Sequence, residues 1–208
     1  MGDPKYIYDL RQVIYDAGIV LAELVLIAAA QDLDDSTGYA STTEAAGACW
    51  TTGAGGPTGL TALAARIEHP RNVVLTHTVD GCTGGNVRVM GIGMNGKVVS
   101  ELFTLGAVTA TLTGSVPFLT VDRINIWGVT GTLTANDHLQ AGCGAKIGLP
   151  MPEGAILVDV VKERFNLVDV AVTPANVNRT YGTYTPTSTL DGAKALELWY
   201  SIKIPLLW

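Results

Sequence analysis

Val87-Arg88-Val89-Met90-Gly91-Ile92-Gly93-Met94-Asn95-Gly96-Lys97-Val98-Val99-Ser100-Glu101-Leu102-Phe103-Thr104 reads as two strand-like runs joined at Asn95-Gly96. Asn-Gly between apolar runs is a strong hairpin signal, because a type I′ turn needs φ > 0 at both central residues. With Asn95 and Gly96 as that pair, Met94 faces Lys97, Ile92 faces Val99, Met90 faces Glu101 and Arg88 faces Phe103. Val89, Gly91, Ser100 and Leu102 then take the other face. In this register Arg88 and Glu101 are diagonal neighbours, which predicts an ion pair across the hairpin. One face is largely apolar and the other mixed, the pattern of a sheet buried on one side.

The same stretch holds a G-x-G-x-x-G spacing at Gly91, Gly93 and Gly96, with Lys97 next. A dinucleotide site needs that motif to open a helix, so that the helix N-terminus meets the pyrophosphate. Val98 to Thr104 reads as a strand instead. The glycines are better explained by close approach of another backbone or side chain.

Strand patterns continue on both sides of the hairpin. Upstream lies Asn72-Val73-Val74-Leu75-Thr76-His77-Thr78, opened by Pro70 where no ladder donor is needed. Downstream, Thr109 to Thr113 reads as a short edge strand and Phe118 to Trp127 as a longer one. Val129 to Ala141 is broken at Asn136-Asp137, and the glycine-rich Gly142-Cys143-Gly144-Ala145-Lys146-Ile147-Gly148-Leu149-Pro150 closes the central region. Ala155 to Val161, running into Lys162-Glu163-Arg164, and Asn166 to Val172 form one more pair. At the C-terminus Leu196, Leu198, Tyr200, Ile202 and Ile204 share one face. Glu197, Trp199, Ser201 and Lys203 share the other, up to Pro205.

The N-terminal part is less regular. Leu10, Val13, Ile14, Ala17, Leu21, Leu24 and Ala28 recur at helical spacing, while Val20, Ala22, Leu24 and Leu26 also satisfy strand alternation. The expectation is a short helix followed by a strand. Gln31 to Gly59 is loop-like, with Asp32, Asp34 and Asp35 ahead of Ser36-Thr37-Gly38. A calcium loop needs Gly at its sixth position and a bidentate Glu at its twelfth. Here the Gly is misplaced, although Glu44 lies at a plausible distance, so a solvated acidic turn is the better reading. A stretch this long without regular structure is uncommon inside a compact domain. The expected organisation is an arm over residues 1–59, draped on a neighbouring subunit, and an all-β body over residues 60–208, built as a sandwich or barrel of short antiparallel strands.

Composition agrees with a body that buries much of itself. Of 208 residues, 48% are hydrophobic and 15% charged, with 24 glycines. So sparse a surface charge suits a subunit covered by neighbours better than a free monomer. A net charge of −6 without a basic cluster argues against nucleic-acid binding. No basic and apolar leader follows Met1, so no secretory signal is expected. The run Ala17 to Ala30 is too short for a bilayer and contains Glu23, so no membrane span is expected. Cys49, Cys82 and Cys143 are odd in number and far apart, which suggests neither a zinc site nor a disulfide framework.

No catalytic set is legible. There is no G-x-S-x-G elbow and no H-E-x-x-H. Asp137-His138 are adjacent and point apart, a loop pair rather than a dyad. The sequence therefore offers no catalytic, cofactor or metal residues, and a non-enzymatic role is expected. Trp50, Trp127 and Trp199 supply an alternative reading, aromatic platforms of a sugar-binding adhesion module.

These residues resemble those of small virion proteins of tailed bacteriophages. Pro70-Arg71-Asn72-Val73-Val74-Leu75-Thr76 looks like the family's entry strand, followed as in the family by a strand, an Asn-Gly turn and a strand at Val87–Thr104. Phe118-Leu119-Thr120-Val121-Asp122-Arg123-Ile124 and the glycine-rich approach to Gly148-Leu149-Pro150 are similar too. So are Tyr181-Gly182-Thr183-Tyr184-Thr185-Pro186, then Asp191-Gly192 and a final strand. The resemblance covers residues 70–204. It implies a head decoration (cement) protein, made in the host cytoplasm and placed on the capsid exterior. It further implies a homotrimer partnered by the major capsid protein. A tail-tube, connector or fibre-base subunit is the nearest alternative. The apolar C-terminus Leu206-Leu207-Trp208, together with Trp199, is the expected interface.

Overall fold

The computed structural model describes residues 6–15, 23–33, 39–51 and 69–205. In chain order the strands are β1 (Tyr6–Tyr15), β2 (Glu23–Asp32), β3 (Ala48–Thr51), β4 (Arg71–Thr78), β5 (Cys82–Gly93), β6 (Val98–Leu105), β7 (Ala110–Gly131), β8 (His138–Gly148), β9 (Ile156–Phe165), β10 (Val168–Val170), β11 (Val177–Asn178), β12 (Thr183–Tyr184) and β13 (Leu196–Pro205). Two single 3₁₀ turns, Glu44–Ala46 and Pro174–Asn176, are the only helical segments among the described residues. The protein is thus all-β with antiparallel pairing, as the sequence predicts.

The chain divides into two compact units: residues 22–144, and residues 1–21 together with 145–208. The expected division into an arm over 1–59 and a body over 60–208 does not follow this boundary. Where the first 59 residues are described, they pair within the chain's own sheets. β1 lies along β13, β2 along β8 and β3 along β7. The short helix expected near Leu10 is strand β1. Its aromatic and β-branched residues suit a ladder, and the neighbouring β13 supplies one along its whole length.

In the larger unit β7 is the spine. Its first half pairs with β4 and its second half with β5, while β3 adds to residues 123–126 on the edge away from β5. The expected short edge strand at 109–113 is part of this strand. Pro117 donates nothing to a ladder, yet β7 continues through it because the register against β4 shifts there, between Asn72 and Val74. The Glu101 carboxylate accepts from the backbone N–H of Ser115 at 2.7 Å and of Val116 at 3.3 Å, satisfying the bend from the side. Val73, Leu75, Val87, Val89, Phe118, Ile124, Ile126 and Trp50 fill one core.

The hairpin is present, with a register one residue from that expected. Only Gly96 has positive φ (73°), so the turn is not type I′. The Gly96 N–H donates to the Gly93 carbonyl at 3.1 Å and the Gly93 N–H to the Lys97 carbonyl at 2.8 Å. This is a three-residue loop closed by a glycine in the left-handed region. Ile92 therefore faces Val98, Val89 faces Glu101 and Arg88 faces Leu102. One residue of slip exchanges faces: Val87, Val89 and Gly91 point inward, and the predicted Arg88–Glu101 pair does not form. Arg88 Nε instead meets Glu44 at 2.9 Å. Gly91 earns its place as expected, since a Cβ there would collide with the Thr120 carbonyl oxygen.

The smaller unit is a sandwich. A four-stranded sheet, ordered β1-β13-β9-β10, and a second layer of β11, β12 and the end of β8 share a core of Tyr15, Ile147, Leu157, Tyr184, Leu198, Tyr200 and Ile202. β13 alternates as predicted, Leu196, Leu198, Tyr200 and Ile202 inward, Trp199 and Lys203 outward.

Candidate functional site: an open sheet face

Directly opposed residues of an antiparallel pair share a face. On the outer face of the four-stranded sheet, Gln12 of β1 therefore stands beside Trp199 of β13, Leu10 beside Ser201, Tyr8 beside Lys203 and Ile14 beside Glu197. β9 continues the face with Lys162 opposite Trp199 and Arg164 opposite Glu197. Val13 and Tyr15 of β1, Leu157 and Val160 of β9 and Leu196, Leu198, Tyr200 and Ile202 of β13 point to the sandwich core, and the alternation leaves the opposite face of these strands more open. Tyr8 is 70% exposed, Leu10 63% and Ile14 54%, which makes the β1 margin an apolar row.

The centre is more polar. Trp199 is half-buried under two cations, with Lys162 Nζ 5.0 Å and the Arg164 guanidinium 5.3 Å from its ring centroid. Asp169 bridges both, 2.9 Å from each. Hydrogen bonds from Lys162 and then Arg164 hold its carboxyl below the usual carboxylate range. At the far end Lys203 lies 4.7 Å from the Tyr6 ring. With paired charges around one part-buried tryptophan and an exposed apolar margin, the face has the composition of a protein-contact surface. Arg and Trp are the anchors that interface centres favour.

Of the expected interface residues, Trp199 is on this face, while Leu206, Leu207 and Trp208 lie outside the described residues. Tyr6, Tyr8, Leu10 and Ile14 are additions that the sequence reading missed. Their i, i+2 spacing was the available signal, obscured by the helical reading of the same segment. Trp50, a platform only in the alternative sugar-binding reading, is fully buried, its indole N–H donating to the Tyr39 hydroxyl at 3.0 Å. Trp127 is half-buried beneath Arg88, 5.9 Å from its centroid.

The buried acids have structural partners. Asp137 is fully buried, and its carboxylate accepts from the backbone N–H groups of Asp80 (2.8 Å), Gly81 (3.0 Å), Cys82 (2.9 Å) and Thr134 (2.9 Å). Burial pushes this carboxyl up, but the donors at Asp80, Thr134, Cys82 and Gly81 outweigh it and hold the group well below the ordinary range. Asp137 thus ties the β4–β5 turn to the β7–β8 turn. His138 turns elsewhere, its Nδ1 2.5 Å from Asp32, so the two are not a dyad. In the smaller unit Glu163, also fully buried, accepts from the Tyr184 hydroxyl (2.6 Å) and the N–H groups of Thr187 and Ser188 (2.9 Å each). Burial and then the Glu163 hydrogen bond raise the Tyr184 phenol. Glu44, the far member of the weighed calcium loop, is engaged by Arg88 and by the Asn125 amide at 2.8 Å. Asp34 and Asp35 lie outside the described residues. Cys82 and Cys143 are buried free thiols and Cys49 is an exposed one. No family model matches the chain, and no curated protein or solved structure is significantly similar to it.

Proposed function

We propose that this chain is a non-enzymatic virion protein of a tailed bacteriophage. Its role is head decoration: it binds the outer surface of the major capsid protein lattice and braces capsomer contacts. The observation that carries this reading is the open face of the four-stranded sheet, where Tyr8, Leu10 and Ile14 are exposed beside Trp199. A largely apolar strand face of this kind, broken only by Gln12, supports a reading as an interaction surface. The resemblance of residues 70–204 to phage virion proteins supplies the class of partner, a homotrimer on the capsid exterior. A decoration protein requires only a stiff body and a surface that closes on the assembled lattice. Binding to the assembled state alone then stabilises that state by ordinary linkage.

The test is addition of purified protein to heads that lack it, followed by sedimentation of the particles and a thermal melt. Saturable binding and a raised disruption temperature are expected. Binding to detached tails with none to heads would move the protein to a tail-tube, connector or fibre-base position. Binding to neither would overturn the virion reading.

A further inference from the structure

We propose that β1 pairs edge to edge with β1 of a second copy, antiparallel about a two-fold axis through Leu10, so that two four-stranded sheets join into one of eight strands. The two margins of the sheet differ. β10 is a three-residue strand whose Asp169 is held by Lys162 and Arg164, a blunted edge. β1 is ten residues long and pairs with β13 from Tyr6 to Tyr15 without a bulge. Among the described residues its other edge meets no strand. It carries no Pro, Gly or Lys, and none of the bulges that protect free edges from association. The row Tyr6, Tyr8, Leu10 and Ile14 continues over its outer face.

Charge selects both the partner and the register. When Leu10 opposes Leu10 of the second copy, Asp9 opposes Arg11 and Arg11 opposes Asp9, so each attractive pair occurs twice. Tyr6 then meets Ile14 and Tyr8 meets Gln12. Sliding by two residues sets Asp9 against Asp9 in one direction and Arg11 against Arg11 in the other, and like charges directly opposed are unfavourable. An odd offset sets outward-pointing N–H and C=O groups against inward-pointing ones and loses the ladder. Asp9 and Arg11 already meet within one strand, at 3.0 Å, on the margin where the second copy would share them. A strand complementary to itself in a single register fits a second copy of this chain. The contact is isologous, with the same surface used on both sides. This two-fold contact stands in place of the three-fold association that the resemblance implies, and it is independent of the head location.

Sedimentation velocity at micromolar concentration tests it, with charge exchange as the diagnostic. Wild type is expected to dimerise. Asp9→Arg alone, or Arg11→Asp alone, should weaken self-association about tenfold or more. Mixing those two variants should restore dimers, and so should Asp9→Arg with Arg11→Asp in one chain. In a Cys49→Ser background, Leu10→Cys should cross-link under mild oxidation. Opposed Cα atoms in such a ladder lie roughly 4.5–5.5 Å apart, within a disulfide's span. Tyr8→Cys, opposed to Gln12, should not cross-link. A monomeric wild type, or an oligomer indifferent to both reversals with no Leu10→Cys cross-link, overturns the pairing. Head binding assayed on the same samples keeps the two readings apart. Heads bound without β1 pairing leave the virion role standing, and β1 pairing without head binding leaves the interface standing.

Discussion

Among the described residues of the larger unit, the exposed large apolar side chains are Val98 beside the Gly96 turn, Leu102 on β6 and Val108 in the loop before β7. In the smaller unit Tyr6, Tyr8, Leu10 and Ile14 lie along one face of β1, broken only by Gln12, with Ile7 exposed on its other face, Ile156 and Val161 on β9, Tyr181 before β12, and Leu167 and Val168 at the β9–β10 turn. Isolated exposed hydrophobics are normal on any protein, whereas a contiguous row is not. The interiors, by contrast, are built alike. Each has an apolar cluster and one fully buried carboxylate that takes hydrogen bonds from backbone N–H groups of nearby loops, joined at Glu163 by the Tyr184 hydroxyl. Similar interiors thus accompany dissimilar surfaces.

The similarity of the interiors is most exposed at Asp137. Replacing it by Ala leaves four backbone donors without an acceptor, one buried at Cys82 and three part-buried at Asp80, Gly81 and Thr134. Each such loss costs roughly 1–3 kcal/mol before relaxation and water entry. Asp137→Ala is therefore expected to lower stability by about 4 kcal/mol in urea unfolding. A change under about 1 kcal/mol would mean that the two turns hold themselves without the carboxylate. The pH dependence has a fixed sign. The folded carboxyl lies below its unfolded value, so its contribution is complete above the unfolded pKa of about 4 and is lost as pH falls from there toward the folded value. Asp137→Asn should flatten the fall of stability below about pH 4. An unchanged acid limb would remove Asp137 as its cause.

Glu163 is the counterpart in the smaller unit, with one hydroxyl and two backbone donors in place of four backbone donors. Glu163→Ala is expected to cost about 3 kcal/mol. Tyr184→Phe should lose about 1 kcal/mol in the wild type and much less in the Glu163→Ala background, because the hydroxyl's partner is then already gone. Additive losses in that double-mutant cycle would show that the two side chains do not act as a pair.

The all-β class was legible because Gly, Thr and β-branched residues alternate between turn signals over most of the chain. β13 was read face by face, since Leu196, Leu198, Tyr200 and Ile202 leave no other parity. The hairpin was legible, while its register was not. Asn95-Gly96 suits both a two-residue type I′ turn and a three-residue loop with only Gly96 left-handed, and the choice depends on the φ of Asn95. β3 escaped notice because Ala48-Cys49-Trp50-Thr51 is too short for periodicity to register, and its place depends on β7, some seventy residues later. The joining of 110–131 into one strand was hidden by Pro117, and the bend is satisfied by the distant Glu101. β1 failed through ambiguity, because Leu10, Val13 and Ile14 fit a helix face while Tyr6, Tyr8, Leu10 and Ile14 fit a strand face. The roles of Asp137 and Glu163 carry no local pattern at all. Each is set by loops brought from elsewhere in its unit.

Trp199 is where the surface difference between the units can be probed. Half-buried and flanked by two cations, it contributes less to the folded chain than a core tryptophan. Trp199→Ala should cost about 2 kcal/mol of unfolding free energy, from partial area loss and two partly exposed cation–π contacts. Its effect on capsid occupancy should be larger than its effect on stability, since anchors near interface centres dominate binding. Full occupancy by a folded Trp199→Ala protein would shift the contact from the sheet centre to the β1 margin.

The smallest effect is expected at the β9–β10 turn, with the opposite sign. Asn166 and Leu167 have φ of 50° and 66°, the signature of a type I′ turn, and Leu167 is 80% exposed. A leucine in the left-handed region is strained by roughly 1–2 kcal/mol against its Cβ, and here it recovers almost nothing through burial. Glycine removes that strain and gives back part of the gain through the greater freedom of the unfolded chain, about 0.5–1 kcal/mol. Leu167→Gly should therefore raise stability by about 0.5 kcal/mol in urea unfolding. An equal loss instead would show that Leu167 packs on its own unit more than its exposure allows. If the gain in stability comes with weaker capsid binding, the exposed leucine is a contact held in place at the expense of the fold. The contact surface would then extend across the sheet from β1 to the β10 turn. If binding is unchanged, the surface is confined to the β1 and β13 side.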